Sequence, residues 1–178
     1  PALSLHAAAP ICFPAALRWC WAGMQAGSIG APAAWLRSWE EGCRALTGLN
    51  DVEGDGTGVV LCIVDSGIDL GHPDLGQLEL AGWMDAVDGL EQPYDNEGHG
   101  TAMAGIIVAQ DGLQGIAPGV SLLVAKAIGE EGTGSDDQIA DAVAWCVEQP
   151  ADVISLSLGG HPGVGCGFFS TAAPDARN

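Results

Sequence analysis

"SLLVAKAIGEEGTGSDDQIADAVAWCVEQPADVISLS", residues 121–157, carries the chain from one short apolar stretch to another through a segment of helical period. "SLLVAK" (121–126) and "DVISLS" (152–157) are rich in the branched residues that suit a buried strand. Between them Ile139, Ala142, Val143, Cys146 and Val147 fall at i, i+3, i+4, i+7 and i+8, the spacing of one apolar helix face. Ser135 is the expected N-cap, with Gln138 completing a capping box and Asp136 and Asp137 in the first turn, where the helix dipole favours negative charge. Upstream, "VVLCIV" (59–64) is another continuous apolar run, ending at Asp65. Strands alternating with helices pair in parallel through right-handed crossovers, so the expected fold class is α/β, an open, mostly parallel sheet with helices on its faces. Functional groups in such sheets gather beyond the carboxyl ends of the strands. That rule selects Asp65 and the segment starting at Leu158 and Gly159.

Composition narrows the partners. The chain has 178 residues, 48% of them hydrophobic, which suits one compact domain. Five basic residues stand against 23 acidic ones, a formal charge of −18, which excludes nucleic acid and anionic membrane surfaces as partners because phosphates need basic surface. No run of about 18 uninterrupted apolar residues reads as a membrane span. The opening "PALSLHAAAPICFPAALRWC" is broken by Pro10, Pro14 and Arg18, so no secretory signal is visible in it. Residues 1–50 are less regular, with one helix expected over 31–46, where Trp35 and Trp39 form a packing stripe.

Cysteines and acidic loops offer little chemistry. The six cysteines lack a C-x-x-C pair and neighbouring histidines, which argues against zinc. Cys62 and Cys146 lie in apolar strand and helix patterns and read as small buried hydrophobes, while Cys12, Cys20, Cys43 and Cys166 are open to disulfide pairing. "DVEGDGTG" (51–58) starts like a calcium loop, but its twelfth position is Cys62 where a bidentate Glu is required, so it reads as an acidic turn.

"DNEGHGTAMAGIIVA" (95–109) is different. His99 opens a run containing Met103, Ala104, Ile106 and Ile107, which places it at a helix N-terminus. There the dipole disfavours imidazolium and keeps a neutral base available. Gly98 and Gly100 are expected to leave room for a substrate backbone. An aspartate that orients an imidazole and a histidine that accepts a proton form two thirds of a nucleophilic triad.

These residues resemble the subtilisin-like serine proteases, the subtilases. "VVLCIVDSGIDLGHPDL" (59–75) resembles the family's aspartate motif, "DNEGHGTAMAGIIVA" its histidine motif and "VISLSLGG" (153–160) its substrate-binding strand. "GSIGAPAAW" (27–35) resembles the start of the mature domain, and the similarity spans roughly residues 20–160. The resemblance implies a serine endopeptidase acting on polypeptides. In it Asp65 orients and stabilises the imidazolium, and His99 is general base and then general acid. Gly132, Thr133 and Gly134, with Ser157, Leu158 and Gly159 opposite, hold an extended peptide as an added strand. It implies an extracellular or secreted enzyme that requires no cofactor. Asp74 matches a calcium-ligand position of the family, but "VAQDGLQGIAP" (108–118) is shortened where many members loop around the ion, so the metal stays unassigned.

Departures matter as much. The family's serine lies in a "GTSMA"-like segment that these residues do not contain, and Ala102 stands where many members have a second histidine. Ser170 lacks the motif, and Ser66 is expected to point away from Asp65. The expected organisation is an N-terminal segment (1–20) without assigned role, the N-terminal part of a peptidase domain (21–160), and an atypical tail (161–178), making the sheet incomplete. Two functions compete: part of a serine endopeptidase completed by a C-terminal segment, with a propeptide as a further partner, or a catalytically inactive module that binds extended peptides or a partner chain.

Overall fold

The computed structural model describes residues 3–4, 44–45, 48–111, 114–159 and 171–172. In chain order these form β1 (Leu3–Ser4), β2 (Val60–Asp65), β3 (Gly82–Asp85), α1 (His99–Val108), β4 (Ser121–Lys126), β5 (Thr133–Gly134), α2 (Asp136–Glu148), β6 (Val153–Leu156) and β7 (Thr171–Ala172). The main sheet has the order β3-β4-β2-β6-β7. Its pairs are parallel up to β6, and β7 adds antiparallel to β6 at the edge. β1 pairs antiparallel with β5, Leu3 opposite Gly134 and Ser4 opposite Thr133.

Side-chain alternation along the strands divides the core in two. Cys62 and Val64 of β2 and Leu123 and Ala125 of β4 pack with Ile139, Ala142 and Cys146 of α2. Their neighbours Ile63, Leu122 and Val124 pack with Ala104, Ile107 and Val108 of α1 on the other side. A strand buried on both faces must be apolar at every position, which is why "VVLCIV" shows no alternation. Each fully buried Val, Leu or Ile side chain among these contributes about 1.5–3 kcal/mol. The α/β architecture expected from the periodicities is the one observed.

The α2 boundary follows its local chemistry. Ser135 Oγ accepts from the Gln138 N–H at 3.2 Å, and Gln138 Oε1 accepts from the Ser135 N–H at 2.9 Å. That reciprocal capping box is the one expected. Val147 departs from the expected apolar face, being 64% exposed, while the adjacent Cys146 is fully buried.

The cysteine reading requires correction. Cys62 and Cys146 are both buried as expected, but they are bonded to each other, tying β2 to α2 across 84 positions. Facing positions of a strand and the helix packed on it bring the sulfurs together, and linear spacing does not reveal that. Cys12, Cys20, Cys43 and Cys166, the Trp35/Trp39 stripe and Ser170 lie outside the described residues, as do most of the 31–46 helix and of segments 1–20 and 161–178. "DVEGDGTG" is an acidic turn: Asp55 Oδ1 accepts from the N–H and hydroxyl of Thr57 at 3.0 and 2.7 Å.

Candidate active site

Asp65 is the last residue of β2, whose neighbours on both sides are parallel strands, so its side chain emerges at the carboxyl edge with no exposure. The loops reaching over that edge carry the remaining candidates. Gly132 to Gly134 follow β4 and Ser157 to Gly159 follow β6, the two strands that flank β2.

α1 starts at His99, and its first turn is held by side chains rather than by an N-cap of its own. The first N–H groups of a helix have no intrahelical partner. Here the His99 N–H donates to Glu97 Oε2 at 2.9 Å, the Gly100 N–H to Ser66 Oγ at 2.8 Å and the Thr101 N–H to Asp95 Oδ2 at 2.9 Å. Asp95 also accepts from the N–H groups of Glu97 and Gly98 and from the Thr101 and Ser66 hydroxyls. Those donors outweigh the burial that opposes its charge and hold its carboxyl below the ordinary range. Ser66 is therefore a structural hydroxyl, buried between Asp95 and α1.

The helix start delivers His99 to Asp65. Nδ1 of the ring lies 2.9 Å from Asp65 Oδ1 and 3.1 Å from Oδ2, and the carboxylate also accepts from the Ser66 N–H at 2.7 Å. An Nδ1–H donated to Asp65 fixes the tautomer and leaves Nε2 as the proton acceptor. His99 keeps 14% of its side chain exposed, while Asp65 keeps none. A dry carboxylate therefore backs a ring that still meets its surroundings.

Two expectations at this site are overturned. Burial opposes protonation of His99, but the Asp65 hydrogen bond and charge, with the charges of Glu97 and Asp95, outweigh it and raise the imidazole above its ordinary pKa. The contact with Asp65 therefore favours the imidazolium that the position at a helix start was expected to disfavour. Gly100 does not make room for a substrate: a Cβ there would lie 2.2 Å from the Gly67 carbonyl oxygen, so the glycine lets α1 sit against the loop after β2. Gly98, with φ +98° and open space around it, supplies the left-handed turn into the helix.

The other candidates are placed as follows. Gly132, with φ +67°, is buried, Thr133 is exposed and Gly134 is buried against the Ala127 carbonyl. The turn into β5 is closed by Gly132 N–H to Gly129 O and Gly129 N–H to Thr133 O, both at 3.0 Å. Ser157 and Leu158 are half-buried and Gly159 is buried, with Leu158 packing on the α2 side of the core. Asp74 has His72 Nδ1 at 3.9 Å from its carboxylate, and among the described residues no group of three or more His, Cys, Asp or Glu side chains is placed to hold a metal.

Sequence reasoning missed Lys126, which is fully buried beside this site. The signal was available: "SLLVAK" ends in a charge just as "VLCIVD" does, and adjacent parallel strands bring such ends together.

Comparison with known proteins agrees with this geometry. Residues 56–177 match the model of the subtilase family, and the chain belongs to that family. It is 39% identical to thermitase of Thermoactinomyces vulgaris over 113 residues, covering 61% of this chain and 40% of that protein. It is 40% identical to the major intracellular serine protease of Bacillus subtilis over 112 residues (59% and 35%), and 38% identical to subtilisin E of the same species over 112 residues (61% and 29%). The match thus covers well under half the length of each of these relatives. Among the described residues no helix is long and apolar enough to cross a membrane.

Proposed function

We propose that this chain supplies the aspartate and histidine of a subtilisin-like serine endopeptidase, with the nucleophilic serine supplied by a segment outside these residues. The observation that carries the reading is the buried Asp65 carboxylate on His99 Nδ1 at 2.9 Å, at the carboxyl edge of a subtilase sheet. His99 Nε2 takes the serine proton as it attacks a peptide carbonyl, and Asp65 stabilises the imidazolium formed. His99 then protonates the leaving amine, and water releases the acyl group by the same route. No cofactor takes part in these steps.

Substrate binding rests on Gly132, Thr133 and Gly134, with Ser157, Leu158 and Gly159 across the cleft. The pairing of β1 with β5 supports this use of the strand, since an extended segment already hydrogen-bonds along it. The same pairing favours the second reading, an inactive module that binds extended peptides, and makes an N-terminal segment a natural occupant. The Cys62–Cys146 bond favours a location outside the reducing cytoplasm. A fluorophosphonate probe distinguishes the readings. The chain alone stays unlabelled, and adding a complementary C-terminal segment restores labelling only for the protease; labelling of the chain alone overturns the account of the serine.

A further inference from the structure

Three neighbouring parallel strands end in charged residues in register: Asp85 of β3 opposite Lys126 of β4, and Lys126 opposite Asp65 of β2. Alternation along each strand puts these residues on the α1 side, two positions beyond Trp83, Val124 and Ile63, which pack there. Lys126 is fully buried. An ammonium has three N–H donors, and each has a partner: the Ser66 carbonyl at 2.5 Å, the Ile128 carbonyl at 2.8 Å and Asn96 Oδ1 at 2.9 Å. The ammonium also lies 4.7 Å from the centre of the Tyr94 ring. Burial disfavours its charge, while Asp95, Asp85, Asp88 and Asp65 favour it, and burial is the stronger influence.

The three acceptors are not equivalent to any three surface oxygens. Ser66 follows Asp65 directly, Asn96 precedes His99 in the loop that enters α1, and Ile128 begins the turn towards β5. One side chain therefore joins the loop carrying the carboxylate, the loop carrying the imidazole and the segment leading to the peptide-binding strand. We propose that Lys126 is the positioning residue of the Asp65–His99 pair, its buried ammonium clamping the loop after Asp65 to the loop before His99. The proposal rests on the catalytic reading of that pair for its meaning, but the arrangement of His99 can be measured without turnover.

The test is NMR of His99 in the intact chain. A proton held between Nδ1 and a carboxylate resonates far downfield, so that signal reports the clamp. In Lys126→Met, which keeps the stem and removes the donors, the downfield signal disappears; in Lys126→Arg, which keeps the charge and donors, it persists. Removing the charge also leaves Asp65, Asp95 and Glu97 unopposed around His99, which pushes its titration upward, so the decisive variant alters the clamp alone. Asn96→Ala does so on an exposed loop, leaving the ammonium in place, and folds whatever the fate of Lys126→Met. It lowers the His99 titration towards the ordinary imidazole value and weakens the downfield signal. With a complementing C-terminal segment, the labelling rate of Lys126→Met falls by about tenfold to a hundredfold, the cost of a misplaced catalytic group. An unchanged His99 signal and titration in Asn96→Ala overturn the proposal. A changed His99 in a chain that no C-terminal segment can activate leaves the positioning role standing and overturns the catalytic reading.

Discussion

Two glycines of α1 should respond to alanine in opposite directions. Gly100 and Gly105 lie in the same helix, and alanine is favoured over glycine in a helix interior by about 0.8–1 kcal/mol. A Cβ at Gly105 meets nothing within 4 Å, so Gly105→Ala should realise most of that gain. At Gly100 the new carbon would lie 2.2 Å from the Gly67 carbonyl oxygen, 2.9 Å from its nitrogen and 3.1 Å from its carbonyl carbon. Every one of those atoms is backbone, so relief requires α1 to move away from the loop after β2. Overpacking of this kind costs about 1–3 kcal/mol, and backbone neighbours place it at the upper end. Subtracting the propensity gain leaves Gly100→Ala less stable by about 1–2 kcal/mol, so the two variants differ by roughly 2–3 kcal/mol. Urea denaturation followed by circular dichroism measures both. The displacement should also carry His99, the preceding residue, off Asp65, and weaken its downfield NMR signal. A Gly100→Ala chain as stable as Gly105→Ala, with that signal intact, refutes the close-approach reasoning.

Asp65→Asn should lower the His99 titration towards its ordinary value, because the contact charge that overcomes burial is removed. The raised imidazole stabilises the parent fold below the unfolded-state pKa, and that increment fades as pH rises through the folded value; denaturation at a series of pH values should show it shrink in the variant. Reducing the Cys62–Cys146 bond releases a loop of 84 positions and should cost about 4.5 kcal/mol by the loop-entropy account, read as a drop in denaturation midpoint with reductant. Ser135→Ala removes the α2 capping box and should cost about 1 kcal/mol in the same assay, with Ser135→Asp largely neutral.

Much of the architecture was legible because it is written locally. The β4 run "SLLVAK" matches its strand end for end, and the Ser135/Gln138 box sits where its residues predicted. Asp65 and His99 stood out because each closes or opens an apolar element in a way packing alone does not require. Residue types and spacings therefore determined the α/β class, the main strands and α2, and singled out Asp65 and His99, which the fold brings into contact.

Tertiary structure decided what depends on the sheet order β3-β4-β2-β6-β7. Only that order sets Asp85, Lys126 and Asp65 side by side, and only the stacking of α2 on β2 joins Cys62 to Cys146. The direction of the His99 shift and the purpose of Gly100 also changed once neighbours were in place. Both are matters of a few ångströms between residues far apart in sequence: a carboxylate at contact distance raises the imidazole, and a carbonyl at Gly67 leaves no space for a methyl group. Periodicity reports which face a residue takes; the fold determines what it finds there.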